Sequence, residues 1–291
     1  MATDRPRTAF VFAGGGSFGA VQVGQLRALV AHGAQPDLVV GSSVGAMNAA
    51  YYAGAPNLEG VERLARIWRG LQRKDVFPLN WRTALGFARR RDFLVGSESL
   101  RRLVHKHLPY RTLQEAAIPV HIVATDILTG EEVVLSQGPA AEAILASTAI
   151  PAAFAPVRLD GRYLADGAIT SCTPVKVAVE RGATRLIVLP TGYACAREAP
   201  PRGAVANALH ALNLLITRQI TSELESLNAS IDYYVAPPLC PLLGSPYDFS
   251  QSGELIERAA ASTQAWLAEG GLTKRGIPMQ LRPHHHRAAS R

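Results

Sequence analysis

The sequence predicts an α/β fold built on a parallel sheet. Two observations carry that expectation. Two strand–turn–helix units follow one another at the start of the chain, and further apolar strand-like runs alternate with helical stretches after them. In the first unit, residues 8–13 form an apolar run that ends in Gly14-Gly15-Gly16-Ser17-Phe18-Gly19. Residues 20–32 then place Val23, Leu26, Leu29 and Val30 at helical spacing, and Gly33 stops them. In the second, Leu38 to Val40 read as the end of a buried strand, and an Ala- and Met-rich helix starts at Val44.

The remaining elements follow in order. Residues 58–68 read as a helix, and 70–96 as an irregular basic stretch. A helix is expected over 97–107 with Ser97 as its N-cap. Residues 119–125 form a buried strand, 128–131 a turn, 132–136 a strand and 140–148 a small-residue helix ended by Pro151. Residues 157–164 suggest a hairpin turning at Asp160-Gly161. A helix over 175–181, a buried strand over 185–189, a long helix over 204–230, a strand over 233–236 and a helix over 253–268 complete the chain. The C-terminal 271–291 is basic and is expected to be a flexible tail, with His284-His285-His286 inside it.

The chain has 291 residues, 48% of them hydrophobic, enough for one large domain with a real core or two small ones. Only 18% are charged, which argues against disorder. Cys172, Cys195 and Cys240 are odd in number and lack C-x-x-C spacing, so neither a disulfide framework nor a zinc site is expected. An apolar window over 9–31 contains five glycines, Gln22, Gln25 and Arg27 and divides into strand, loop and helix, so it is not read as a membrane span. With no secretory signal visible, a cytoplasmic protein is expected.

The net charge of +7 is uneven. Residues 62–111 carry thirteen Lys and Arg against four Asp and Glu, with Trp68, Phe77, Trp81, Phe87 and Phe93 interleaved. That pattern fits a peripheral contact with anionic membrane or with nucleic acid, or a solvated helical face over a few core aromatics.

Chemistry concentrates at Ser43. Gly41-Ser42-Ser43-Val44-Gly45 has the G-x-S-x-G spacing, in which glycines two before and two after the serine let a tight strand-to-helix turn close. The turn would expose the Ser43 oxygen at a helix N-terminus, where developing negative charge is favoured. Ser42 is read as a packed turn residue. Such a serine needs a base and oxyanion donors. Backbone N–H groups of Gly14, Gly15 and Gly16 are the candidate donors. Gly14, Gly16 and Gly19 also match G-x-G-x-x-G, a nucleotide-binding loop, but Asp37 begins the next strand instead of ending it. No histidine has a helpful neighbourhood: His210 falls in a long helix, His32 at a helix end, His121 in a strand, and His105 and His107 on a basic helix. Asp166, at a strand end before Gly167-Ala168, is either a site acid or the cap of the next turn.

These motifs together resemble the patatin-like phospholipases, which carry a glycine-rich loop, a G-x-S-x-G elbow and a D-G-G or D-G-A motif in that order. Gly14 to Gly19, Gly41 to Gly45 and Asp166-Gly167-Ala168 match all three; Ala124-Thr125-Asp126, Ala146 to Pro151 and Asp160-Gly161-Arg162 also look like the family. The resemblance implies a three-layer α/β/α domain around a central, mostly parallel sheet, with a catalytic core over 8–192, a basic aromatic insert at about 62–111 and a helical part over 193–270 on the same domain. It implies a Ser43–Asp166 dyad without histidine, an oxyanion hole at Gly14, Gly15 and Gly16, and supporting roles for Gly19, Gly41, Gly45, Gly167 and Ala168. The implied activity is lipid acyl ester hydrolysis through an acyl-enzyme, on a phospholipid or another acyl lipid, with no cofactor, no metal and no nucleic acid. An acyltransferase using the same acyl-enzyme and a non-catalytic nucleotide-binding protein are the alternatives. One departure is Phe18, where the family often has Arg or Lys.

Overall fold

The computed structural model describes residues 5–77, 95–192, 204–240, 242, 245 and 247–282. Trp81, Phe87, Phe93, Cys195 and the His284 to His286 tract lie outside them.

Among the described residues, eight strands form one mixed sheet in the order β5-β6-β3-β2-β1-β7-β8, with β4 also on β3. β1 (Thr8–Phe12), β2 (Leu38–Ser42), β3 (Val120–Asp126), β7 (Arg185–Leu189) and β8 (Asp232–Val235) are parallel. β1 and β2 are buried along their whole length, as strands covered on both faces must be. β4 (Glu132–Leu135), β5 (Val157–Leu159) and β6 (Arg162–Asp166) add antiparallel pairs. The β5–β6 hairpin turns at Asp160 (φ 48°) and Gly161 (φ 78°), the doubly positive pair that the Asp-Gly dipeptide suits.

Helices cover both faces. On one lie α1 (Gly19–Ala31), α2 (Val44–Gly54), α3 (Leu58–Gly70), the single turn α4 (Arg73–Val76), α5 (Glu98–His107), α6 (Ala140–Ser147) and α9 (Ser252–Ala268). On the other lie α7 (Val175–Glu180) and α8 (Ala204–Glu225). The expected three-layer α/β/α arrangement is therefore present. Ser97 precedes α5, but its side chain makes no capping bond, because its backbone is already helical.

The tail expected over 271–291 is described only as far as residue 282. Residues 271–282 pack on the fold. Leu281 is buried, Arg275 stacks over the Tyr233 ring at 4.8 Å, and Gly276 bridges to Tyr234. Apolar Ile277 and Leu281 find the sheet face beside α8, which outweighs the basic composition around them.

Helix α1 is buried on nearly every side, wedged between the sheet and α9. This is why its apolar pattern is broad. Gly24 lies at the contact: a Cβ there would sit 2.2 Å from the Ile256 carbonyl oxygen and 2.9 Å from the Ala260 nitrogen. Alanine would gain about 1 kcal/mol of helix propensity. It would also overpack the α9 backbone, at a cost of about 1–3 kcal/mol. The second effect should win. Gly24→Ala is expected to lower the urea unfolding midpoint, and an unchanged or raised midpoint would contradict this packing.

Candidate active site

The register of β3 positions the site. Along one edge of β3, Ser42 of β2 sits opposite Val123. On the next residue of the same edge, Asp166 of β6 sits opposite Ala124. The other edge is taken by β4, which pairs with residues 122–125. So β2 ends and β6 begins along one edge of β3, and residues 123 positions apart in sequence meet there.

Ser43 occupies the sharp turn between β2 and α2, at φ 54° and ψ −128°. Positive φ in a serine costs roughly 1–3 kcal/mol and persists only where surroundings enforce it. Here several do. The Ser43 N–H donates to Ser147 Oγ at 2.9 Å, and that hydroxyl donates to the Val123 carbonyl at 2.5 Å. Gly41 and Gly45 are needed for closeness: a Cβ on Gly41 would lie 2.4 Å from the Gly45 oxygen, and one on Gly45 would lie 2.3 Å from the Phe12 oxygen.

The Ser43 hydroxyl donates to Asp166 Oδ2 at 2.7 Å. The other carboxylate oxygen, Oδ1, accepts from the Ala168 N–H at 2.8 Å, so Asp166 also caps the 3₁₀ turn Gly167–Ile169. The capping reading of this residue holds, and its second oxygen is left to Ser43. Asp166 is held by its backbone too: its N–H donates to the Ala149 carbonyl and its carbonyl accepts from Thr125 Oγ1. Gly167 passes so close to β3 that a Cβ would lie 2.2 Å from the Val123 oxygen. Ser42 is fully buried beside it. The Asp166 side chain is only 4% exposed. Burial pushes its pKa up to about 6, against the opposing pull of the Ala168 N–H and the Ser43 hydroxyl.

The glycine loop lies over this pair. A Cβ on Gly14 would be 3.2 Å from Ser43 Cβ and 3.4 Å from Ala168 Cβ. Gly15 (φ 152°) and Gly16 (φ 59°) adopt conformations that suit glycine. The Gly14 N–H, however, donates to the Cys172 carbonyl at 2.8 Å. That takes Gly14 out of the expected donor set; its part is to pin the loop. The Gly15 and Gly16 N–H groups have no acceptor among the described residues. Phe18 packs into the core, so no basic side chain points at the site from that position.

From Ser43 an apolar cleft runs between α2, α3 and α5, enclosing about 850 Å³ with its open mouth included. Trp68 and Phe77 belong to it. The Trp68 ring stacks on Phe249 at 6.1 Å, and Phe77 stacks on Phe154 at 5.4 Å. These two aromatics of the basic insert are therefore core side chains and not a surface display. Several of its arginines are also paired, Arg63 with Glu59, Arg69 with Glu257 and Arg101 with Glu142. Asp37 is spent on structure at the opposite end of β2, where its carboxylate accepts from the Thr8 N–H at 2.8 Å. It offers nothing to a ribose beside the glycine loop.

The sequence model of the patatin-like phospholipases matches residues 10–179, more than half of the chain. The chain belongs to the patatin-like phospholipase family. This is a hydrolase family, and the match spans all three motifs. An uncharacterized NTE family protein of Mycobacterium tuberculosis is 31% identical over 172 residues, which are 58% of this chain and 45% of that protein. Human patatin-like phospholipase domain-containing protein 6 is 26% identical over 186 residues, 63% of this chain and 13% of its own length. The chain thus spans less than half the length of these relatives. Among solved structures, VipD from Legionella pneumophila aligns with 91% of this chain and 67% of its own at 16% identity and a TM-score of 0.49. No helix among the described residues of this patatin-like chain is long and apolar enough to cross a membrane.

Sequence reasoning missed the residues that hold the motifs in place. Gln22 donates to both the Ala13 carbonyl (2.7 Å) and the Leu189 carbonyl (2.8 Å), tying β1 to β7 beneath the glycine loop. Asn48 donates to Gln22 Oε1 and the Gly19 carbonyl and accepts from the Trp68 indole N–H at 2.9 Å. Thr191 Oγ1 donates to the Gly14 carbonyl at 2.7 Å. The available signal was a polar residue inside an otherwise apolar helix, since such a side chain is rarely buried without a partner.

A carboxyl whose folded pKa lies above its unfolded value favours folding in its protonated form. Its contribution is full below about pH 4 and is lost as pH rises through about 6. Asp166→Asn is therefore expected to be more stable than the parent at pH 8, by up to about 3 kcal/mol, and nearly equal to it at pH 4. Urea melts at the two pH values check this, and an equal difference at both would contradict it.

Proposed function

We propose that this protein is a serine lipid acyl hydrolase working through a Ser43–Asp166 dyad. The observation that carries the proposal is the 2.7 Å hydrogen bond from the Ser43 hydroxyl to the buried Asp166 carboxylate, next to glycine N–H groups without acceptors among the described residues and at the head of an apolar cleft. Ser43 Oγ attacks the ester carbonyl carbon as its proton passes to Asp166 Oδ2. The carbonyl oxygen, now an oxyanion, is stabilised by the N–H groups of Gly15 and Gly16 and by the N-terminus of α2. Asp166 then gives the proton to the leaving alkoxide as the carbon–oxygen bond breaks, leaving Ser43 acylated. A water molecule loses its proton to Asp166, attacks the acyl carbonyl and releases the acid; the proton returns to Ser43 Oγ.

Burial serves this chemistry. An exposed aspartate is too weak a base to draw a proton from serine, and a pKa near 6 brings Asp166 closer to the working pH while keeping it ionised there. Trp68 and Phe77 face inward and would take no part in a membrane contact of residues 62–111.

Ser43→Ala and Asp166→Asn are each expected to reduce kcat/KM for p-nitrophenyl esters to background while the fold survives. A fluorophosphonate should label Ser43 in the parent and not in Ser43→Ala. Parent-level turnover in either variant would refute the dyad. Because the base must be ionised, log kcat/KM should fall with unit slope below about pH 6. An acidic limb centred below pH 4.5 would mean that Asp166 titrates as an exposed carboxylate and is not the base. Ser147→Ala strips the Ser43 N–H of its acceptor, and kcat is expected to drop at least tenfold with the fold intact.

A further inference from the structure

We infer that the cleft measures acyl chains, accepting about eight to ten carbons before it meets a polar end; this rests on the hydrolase reading above. Each bounding helix contributes a single stripe. Helix α2 gives Ser43, Met47 and Tyr51, α3 gives Leu64, Ile67 and Leu71, and α5 gives Leu100, Val104 and His107.

The cleft has a direction. Arg101, near the start of α5, pairs with Glu142 of α6, and Val95, just before α5, donates its N–H to the Ala153 carbonyl beside Phe154. At the other end, Tyr110 Oη donates to the Ala50 carbonyl at 2.7 Å, and a Cβ on Gly54 would lie 2.5 Å from the Pro109 ring. Helices α2 and α5 therefore run the same way, from the dyad toward residues 51 and 107. At 1.5 Å per residue, the path from Ser43 to Tyr51 is about 12 Å. An extended methylene adds about 1.3 Å by standard bond lengths, so the path holds roughly nine carbons.

The polar groups along the walls are committed elsewhere until the far end. Asn48 is bonded to Gly19, Gln22 and Trp68, and the Thr148 hydroxyl donates to the Ile144 carbonyl at 2.8 Å. The Tyr51 hydroxyl and the His107 ring have no partner among the described residues, and both side chains are half-buried. Burial and neighbouring Lys106 lower the His107 pKa, which favours the neutral ring at the cleft end. A chain that stops short of this pair gains with each methylene; a longer one must cover polar groups or leave the cleft.

The test is a p-nitrophenyl ester series from C4 to C16, each kept below its aggregation concentration, with fluorophosphonate labelling of Ser43 run beside it. kcat/KM is expected to rise up to about fourfold per added methylene and to level off or fall past C8 to C10. A rise continuing through C14, or an optimum at C4, overturns the inference. His107→Leu should move the break to longer chains, and Met47→Trp, which blocks the middle of the path, should cut the C10-to-C4 ratio of kcat/KM at least tenfold. If both variants keep the parent profile, the cleft is not the chain site. Labelling and ester turnover without a chain-length break would sink this inference alone, whereas loss of both labelling and turnover would sink the hydrolase reading and this inference with it.

Discussion

One strand edge underlies the site. Val123 and Ala124 of β3 are consecutive, and they pair with the end of the serine strand and the end of the acid strand. A backbone register is a stiff constraint, because slipping it by one residue would turn every side chain of the strand to the other face. Ser43 and Asp166 therefore need no contacts of their own to find each other. Their 2.7 Å hydrogen bond follows from the pairing, and Ser147 locks the junction by bonding both the Ser43 N–H and the Val123 carbonyl.

A second constraint fixes the glycine loop, and it is polar. Gln22, Asn48, Trp68 and Thr191 form buried bonds that reach β1, β7, α1, α2 and α3. Buried amides with satisfied partners specify one arrangement more sharply than apolar packing, since any shift leaves a donor or acceptor stranded. The loop is joined to the acid as well: the segment that follows Asp166 supplies the Cys172 carbonyl to the Gly14 N–H. Serine, acid and glycine loop thus share one rigid frame.

Much of this was legible in the sequence, because the elements that define the fold are local. The glycine loop, the elbow and the Asp160-Gly161 hairpin depend on backbone conformations that few residues adopt, so the residues announce them. The parallel core strands were equally plain from their unbroken apolar runs. What stayed hidden was set by partners distant in the chain. Nothing near Gly14 shows that its N–H is taken by Cys172, and nothing near Leu281 shows that the sheet will bury it. The basic stretch with its aromatics was ambiguous for the same reason: composition gives no direction, and only the packing turns Trp68 and Phe77 inward.

The cleft and the dyad come from different parts of the chain. The helices that wall the cleft, α2, α3 and α5, all lie in the excursion between β2 and β3, whereas the acid arrives later on β6. The strands that bracket this excursion pair directly with each other. Beyond α3, whose Trp68 still braces Asn48 behind the glycine loop, changes in this stretch would reshape the cleft and leave Ser43 and Asp166 where the sheet put them.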